Sequence, residues 1–113
     1  MVRLDEDLKK LINIPVYIEG DAPKDLPNEY FTISEDATGD NLNADNEALE
    51  HLYEFTLKWY TQDANRVYTG LLDAITLLKS IGYLIEGTGY KNATYQNTWH
   101  SRMVDVAKID YLK

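Results

Sequence analysis

The sequence predicts an α+β fold: a mainly antiparallel sheet with a long helix and a short N-terminal helix packed on one face. Three observations lead there. From Leu49 to Tyr60, Tyr53, Phe55, Leu57 and Trp59 share one parity while Glu54, Thr56 and Lys58 share the other, the pattern of a strand with one face in a core. From Ala64, Val67, Leu71, Ala74, Ile75, Leu78 and Ile81 recur at spacings of three and four, the pattern of a helix with one buried stripe. Turn-rich connections join most of the extended segments, which favours antiparallel neighbours.

The elements follow in order. Leu4, Leu8, Leu11 and Ile12 mark a short amphipathic helix whose acids, Asp5, Glu6 and Asp7, fall in the first turn and whose Lys9 and Lys10 fall near the end, as the helix dipole prefers. Ile14-Pro15 forces an extended residue, and Val16-Tyr17-Ile18 reads as a brief strand. A crossing with Pro23 and Pro27 leads to Tyr30-Phe31-Thr32-Ile33, an aromatic and β-branched strand within Glu29 to Glu35. Asp36 to Glu47 carries almost nothing to bury and is expected to be a mobile acidic loop.

After the strand that ends at Tyr60, Thr61-Gln62-Asp63 supplies cap chemistry for a single main helix from Ala64 to Ile81, about 27 Å long at ~18 residues. Lys79 and Gly82 suit its end. Tyr83 to Glu86 starts a strand, Gly87-Thr88-Gly89 reads as a kink or bulge, and Tyr90 to Tyr95 continues extended. Gln96-Asn97-Thr98 offers a turn into a long last strand from Trp99 to Tyr111. With 113 residues and no internal linker or repeat, the expectation is one domain spanning 1–113.

Composition narrows the chemistry. Absence of cysteine removes disulfides, thiolate metal sites and thiol nucleophiles. Eleven basic residues against nineteen acidic ones leave a net charge of −8, the wrong sign for neutralising phosphates. No stretch approaches the ~20 apolar residues of a membrane span, and the N-terminus lacks the apolar run of a secretory signal.

Candidate sites are few. His51 and His100 lie in no recognisable motif and read as ordinary surface or edge positions, so no catalytic residue is assigned. Asp36, Asp40, Asn41, Asn43, Asp45 and Asn46 crowd oxygen donors together, yet the segment lacks the glycine of a calcium loop and reads as solvated. Gly87-Thr88-Gly89-Tyr90 lacks the third glycine, lysine and helix of a phosphate loop. No metal or cofactor is expected. Nine Tyr and two Trp without interleaved basic residues point to core and protein interface rather than nucleic-acid stacking.

The early helix, Val16-Tyr17-Ile18-Glu19, the proline crossing, Glu29-Tyr30-Phe31-Thr32-Ile33, the Asn/Asp-rich segment, Leu52 to Trp59, the helix Ala64 to Ile81 and Gly82-Tyr83-Leu84-Ile85-Glu86 form an order of elements that spans most of the chain. That order resembles the small head–tail joining and tail-terminator proteins of tailed bacteriophages, by element order and residue character rather than by a strict motif. The resemblance implies a sheet flanked by helices and a ring, often hexameric, that stops tail growth and docks the head. The implied partners are further copies of the chain, a tail tube protein and a head-connector protein, with DNA passing through without specific binding. The implied location is the host cytoplasm during assembly and then the virion. Ring contacts are expected in the polar segments, at Asp36, Asp40, Asn41, Asn43 and Asp45 and at Gly87, Tyr90, Tyr95 and Trp99. Two other readings stand beside this one: a non-viral interaction adaptor using its aromatic strand face, and a small metal-dependent hydrolase.

Overall fold

The computed structural model describes residues 2–42, 48–92 and 98–111. Among the described residues, two helices, α1 (Leu4–Leu11) and α2 (Thr69–Ser80), accompany five strands: β1 (Val16–Ile18), β2 (Glu29–Leu42), β3 (Ala48–Thr61), β4 (Tyr90–Lys91) and β5 (His100–Tyr111). The sheet order is β1-β2-β3-β5-β4. Three of the four pairings are antiparallel, but β1 runs parallel to β2, so the sheet is mixed. The proline crossing at 19–28 explains the parallel pair, because it returns the chain to the starting end of β1 before β2 begins.

Directly paired residues face the same side of a sheet. One face therefore aligns Val16–Phe31–Trp59, Ile18–Ile33–Leu57–Val104 and Glu35–Phe55–Val106. Both helices cover this face: Leu4 and Leu8 of α1 and Leu71, Ala74, Ile75 and Leu78 of α2 join these strand residues in one buried cluster. The side chain of Asp5 is carried into the edge of the core by a bidentate bond from Arg3, whose Nε and Nη2 donate to its two oxygens at 3.1 and 2.9 Å. The same pair holds the Asp5 carboxyl below the usual carboxylate range, the Arg3 bond lowering it more than burial raises it. Tyr83, buried after α2, donates its hydroxyl to Asp7 at 2.6 Å and ties the two helical regions together.

Three expectations from the sequence are corrected here. The main helix does not run from Ala64 to Ile81: residues Ala64–Arg66 form a 3-10 turn, and α2 is twelve residues long, about 18 Å. The indole of the fully buried Trp59 causes the break. Its Nε1 donates to the Arg66 carbonyl at 3.1 Å, taking the acceptor that a continuous helix would offer to the Gly70 N–H. The ring then lies close against Gly70, where an added Cβ would stand 2.3 Å from Trp59 Cζ2. The glycine is needed for that approach.

Nor is Asp36 to Glu47 a loop throughout. Asp36 to Leu42 continues β2, pairing with β3 as far as Leu42 opposite Ala48, with register shifts at Asp36 and between Asn41 and Leu42. Backbone pairing with a long partner strand satisfies the N–H and C=O groups whatever the side chains are, so polarity alone did not mark a loop. Residues 43–47 lie outside the described residues. Finally, of the strand expected over Tyr83 to Tyr95, the described residues 83–92 form a single bridge, Leu84 with Ala107, and the two-residue β4, and the rest lies outside the described residues. Arg102 is the reason: its Nη2 donates to the carbonyls of Gly89 and Thr88 at 2.8 and 3.3 Å, drawing that segment out of line with β5. Gly89 permits this at φ +85°, where a side chain would meet the Met103 carbonyl and Leu71.

The molecule measures 53 × 26 × 25 Å, with a radius of gyration of 15.3 Å against about 13 Å for a compact domain of this length. The elongation comes from β2 and β3. Fourteen residues each, they span about 46 Å and outrun the two helices.

Candidate interaction surface

Among the described residues, the second face of the sheet carries no helix. The register lays out its rows: Tyr17–Thr32–Lys58–Met103–Tyr90, Tyr30–Tyr60–Ser101, Ser34–Thr56–Asp105, and Glu54–Ala107–Leu84. Two regions of different character result.

Near the first residues of β2, Tyr30 stacks on Tyr60 with centroids 4.8 Å apart, meets Trp99 edge-on at 5.4 Å and contacts Tyr17 at 5.9 Å. Burial, reinforced by the neighbouring Tyr60 and Tyr17, pushes the Tyr30 phenol up from its ordinary value. Between this cluster and the next region, Lys58 reaches Glu19 at 2.7 Å, and that bond raises its pKa.

Further along, an open groove of roughly 650 Å³ is lined by Asp36, Glu54, Leu84, Glu86, Tyr90 and Asp105 with the backbone of the 87–89 excursion. Asp36 owes its place to the register shift between Glu35 and Ala37, which turns it toward Thr56, whose hydroxyl donates to it at 2.5 Å. Leu84 and Tyr90 stand in the groove about half exposed, at 54 % and 49 %.

Of the residues expected at an interface, Asp36, Gly87 and Tyr90 come together in this groove, whereas Trp99 belongs to the separate tyrosine cluster. Asp40 and Asn41 lie in the far part of β2, opposite His51 and Glu50. Asn43, Asp45 and Tyr95 fall outside the described residues. The sequence reading passed over Glu54, Leu84, Glu86 and Asp105. The polar parity of Glu54, Thr56 and Lys58 was the available signal, because it shows that β3 has a face no apolar element covers. Nothing local to Leu84 or Asp105 announces that they meet on that face.

His51 and His100 sit in rows ten residues apart along β3, at opposite ends of the sheet and about 33 Å from each other. Among the described residues no group of three His, Asp or Glu side chains converges as a metal site, and no helix is long and apolar enough to cross a membrane. No protein-family model matches the chain, and no curated protein matches it either.

Proposed function

We propose that this chain is a structural protein of the phage head–tail junction, which caps the tail tube and docks it to the head as a ring, on the hexameric pattern of the family it resembles. The observation that carries the reading is a pair of open sheet edges on opposite sides of one projection. Beyond Ile33, β2 has no strand on its outer side, and beyond Ala107 neither does β5, among the described residues. Unpaired edges of this kind are templates for another chain. The β2 edge of one copy meeting the β5 edge of the next is a head-to-tail contact, and such contacts close into rings when the rotation divides the circle.

The net charge of −8 supports a lumen to which DNA does not adhere, since like charges repel. In this reading the chain has no catalytic role, and its partners are its own copies, the tail tube protein and the head connector. The adaptor reading rests on a different observation, the tyrosine cluster around Tyr30 on the helix-free face. Electron microscopy of isolated tail tubes mixed with the protein separates the two. Ring-shaped density on one tube end, with tube growth arrested, is the expected result; bare tubes that keep growing would refute the proposal.

A further inference from the structure

The groove on the helix-free face contains a break in the sheet edge. Ala107 exchanges both backbone hydrogen bonds with Leu84, at 2.8 and 3.0 Å, so its N–H and C=O face the outer edge of β5. Alternation turns the same groups of Asp105 to that edge. Across from Asp105 the chain from Glu86 to Gly89 forms no backbone hydrogen bond with it, because Arg102 holds the Thr88 and Gly89 carbonyls. One donor and one acceptor of the ladder are thus left facing the groove, flanked by the half-exposed Leu84 and Tyr90.

The charged side chains that line the groove are of one sign, while the Arg102 guanidinium is taken up by the Thr88 and Gly89 carbonyls. Asp36, Glu54, Glu86 and Asp105 line the groove together with no Lys, Arg or His, and none of the four takes part in an ion pair among the described residues. Lys58, which feels the charge of Asp36, is already engaged by Glu19 at 2.7 Å. Apolar contact ringed by uncompensated carboxylates suits a side chain with an apolar stem and a cationic head, a Lys or Arg lying along Leu84 and over the Tyr90 ring. An unpaired edge position suits an extended backbone.

We infer that this groove docks an extended basic segment of a partner protein, one in which Lys or Arg alternates with apolar residues. In such a segment, residues two apart share a side, so the basic heads fall together on the carboxylates. Nucleic acid is disfavoured by the same charges. The inference does not depend on the ring proposed above, which uses the far edges of β2 and β5.

The test is a titration with a short fluorescent peptide of alternating Lys and Val, followed by anisotropy and by the amide resonances of the labelled protein. Saturable binding is expected, with the largest shifts at Leu84, Glu86 and Asp105. Neutralising two exposed groove acids, Glu86→Gln with Asp105→Asn, should weaken it about tenfold or more. The same charge change elsewhere, Glu6→Gln with Asp25→Asn, should alter it by no more than about twofold. Equal loss in both variants would reduce the effect to general charge attraction and overturn the site, as would absence of binding or shifts centred elsewhere. Groove resonances that move with protein concentration alone would assign it to a second copy instead and likewise overturn the inference.

Discussion

The two ends of the sheet are built by opposite rules. At one end, five strands carry two helices over Phe31, Leu57, Trp59 and Val104, and β1 and β4 cover both edges. At the other, β2, β3 and β5 run on alone to Leu42, Ala48 and Tyr111. The covered end gains its stability from apolar burial, while the three-stranded end runs beyond both helices and is held through its strand pairing to the first. The difference separates folding from the proposed association: one end holds the chain together, and the other offers edges with no neighbouring strand among the described residues.

Substitutions should divide along that line. Trp59→Ala removes a fully buried ring and the bond to the Arg66 carbonyl, and should lower stability by about 3–5 kcal/mol in chemical denaturation. Gly70→Ala drives a methyl into the same indole and should cost about 1–3 kcal/mol by overpacking. Leu52→Ala, on the half-buried far part of β3, should cost less than about 1 kcal/mol. A large loss at Leu52 with a small one at Trp59 would contradict this division of the sheet.

Tyr83→Phe ranks with Gly70→Ala, at about 1–3 kcal/mol for a buried hydroxyl bonded to a carboxylate. Its pH dependence sharpens the assignment. Burial, aided by the bond to Asp7, raises the Tyr83 phenol far above its ordinary value. The raised value favours the protonated folded form, so this contribution is complete below the unfolded value of about 10 and declines as pH rises beyond it. Wild type should therefore lose melting temperature in alkali more steeply than Tyr83→Phe; parallel curves would remove Tyr83 from the account. An effect as small as that at Leu52 belongs to Glu19→Gln, which opens a half-exposed bridge to Lys58 and should shift stability by no more than about 1 kcal/mol, an effect that added salt reduces in wild type.

What the sequence made legible follows the same division. Helix α1 and the core parity of β3 were readable because burial imposes a period on local sequence. The outer half of β2 was not, because Asp36 to Leu42 carry no apolar period in the sequence and are placed by their pairing with β3. The late start of α2 depends on a hydrogen bond from Trp59 to Arg66, and the shortness of β4 on one from Arg102 to Gly89, both contacts between separate elements. The groove is hidden for the same reason, since Asp36, Leu84 and Asp105 become neighbours only when three strands and a bridge are in register.

The most direct test of the ring is its mass, measured by light scattering across a concentration series for the wild type and for Ile109→Pro. Two residues beyond Ala107, Ile109 turns its N–H to the open edge of β5, so proline there removes a donor to a neighbouring copy without removing one from the β3 ladder. A discrete closed multiple of the chain mass in the wild type, falling to the monomer in Ile109→Pro, is the predicted result. A wild-type monomer at every concentration, or a ring that the proline leaves intact, would contradict it.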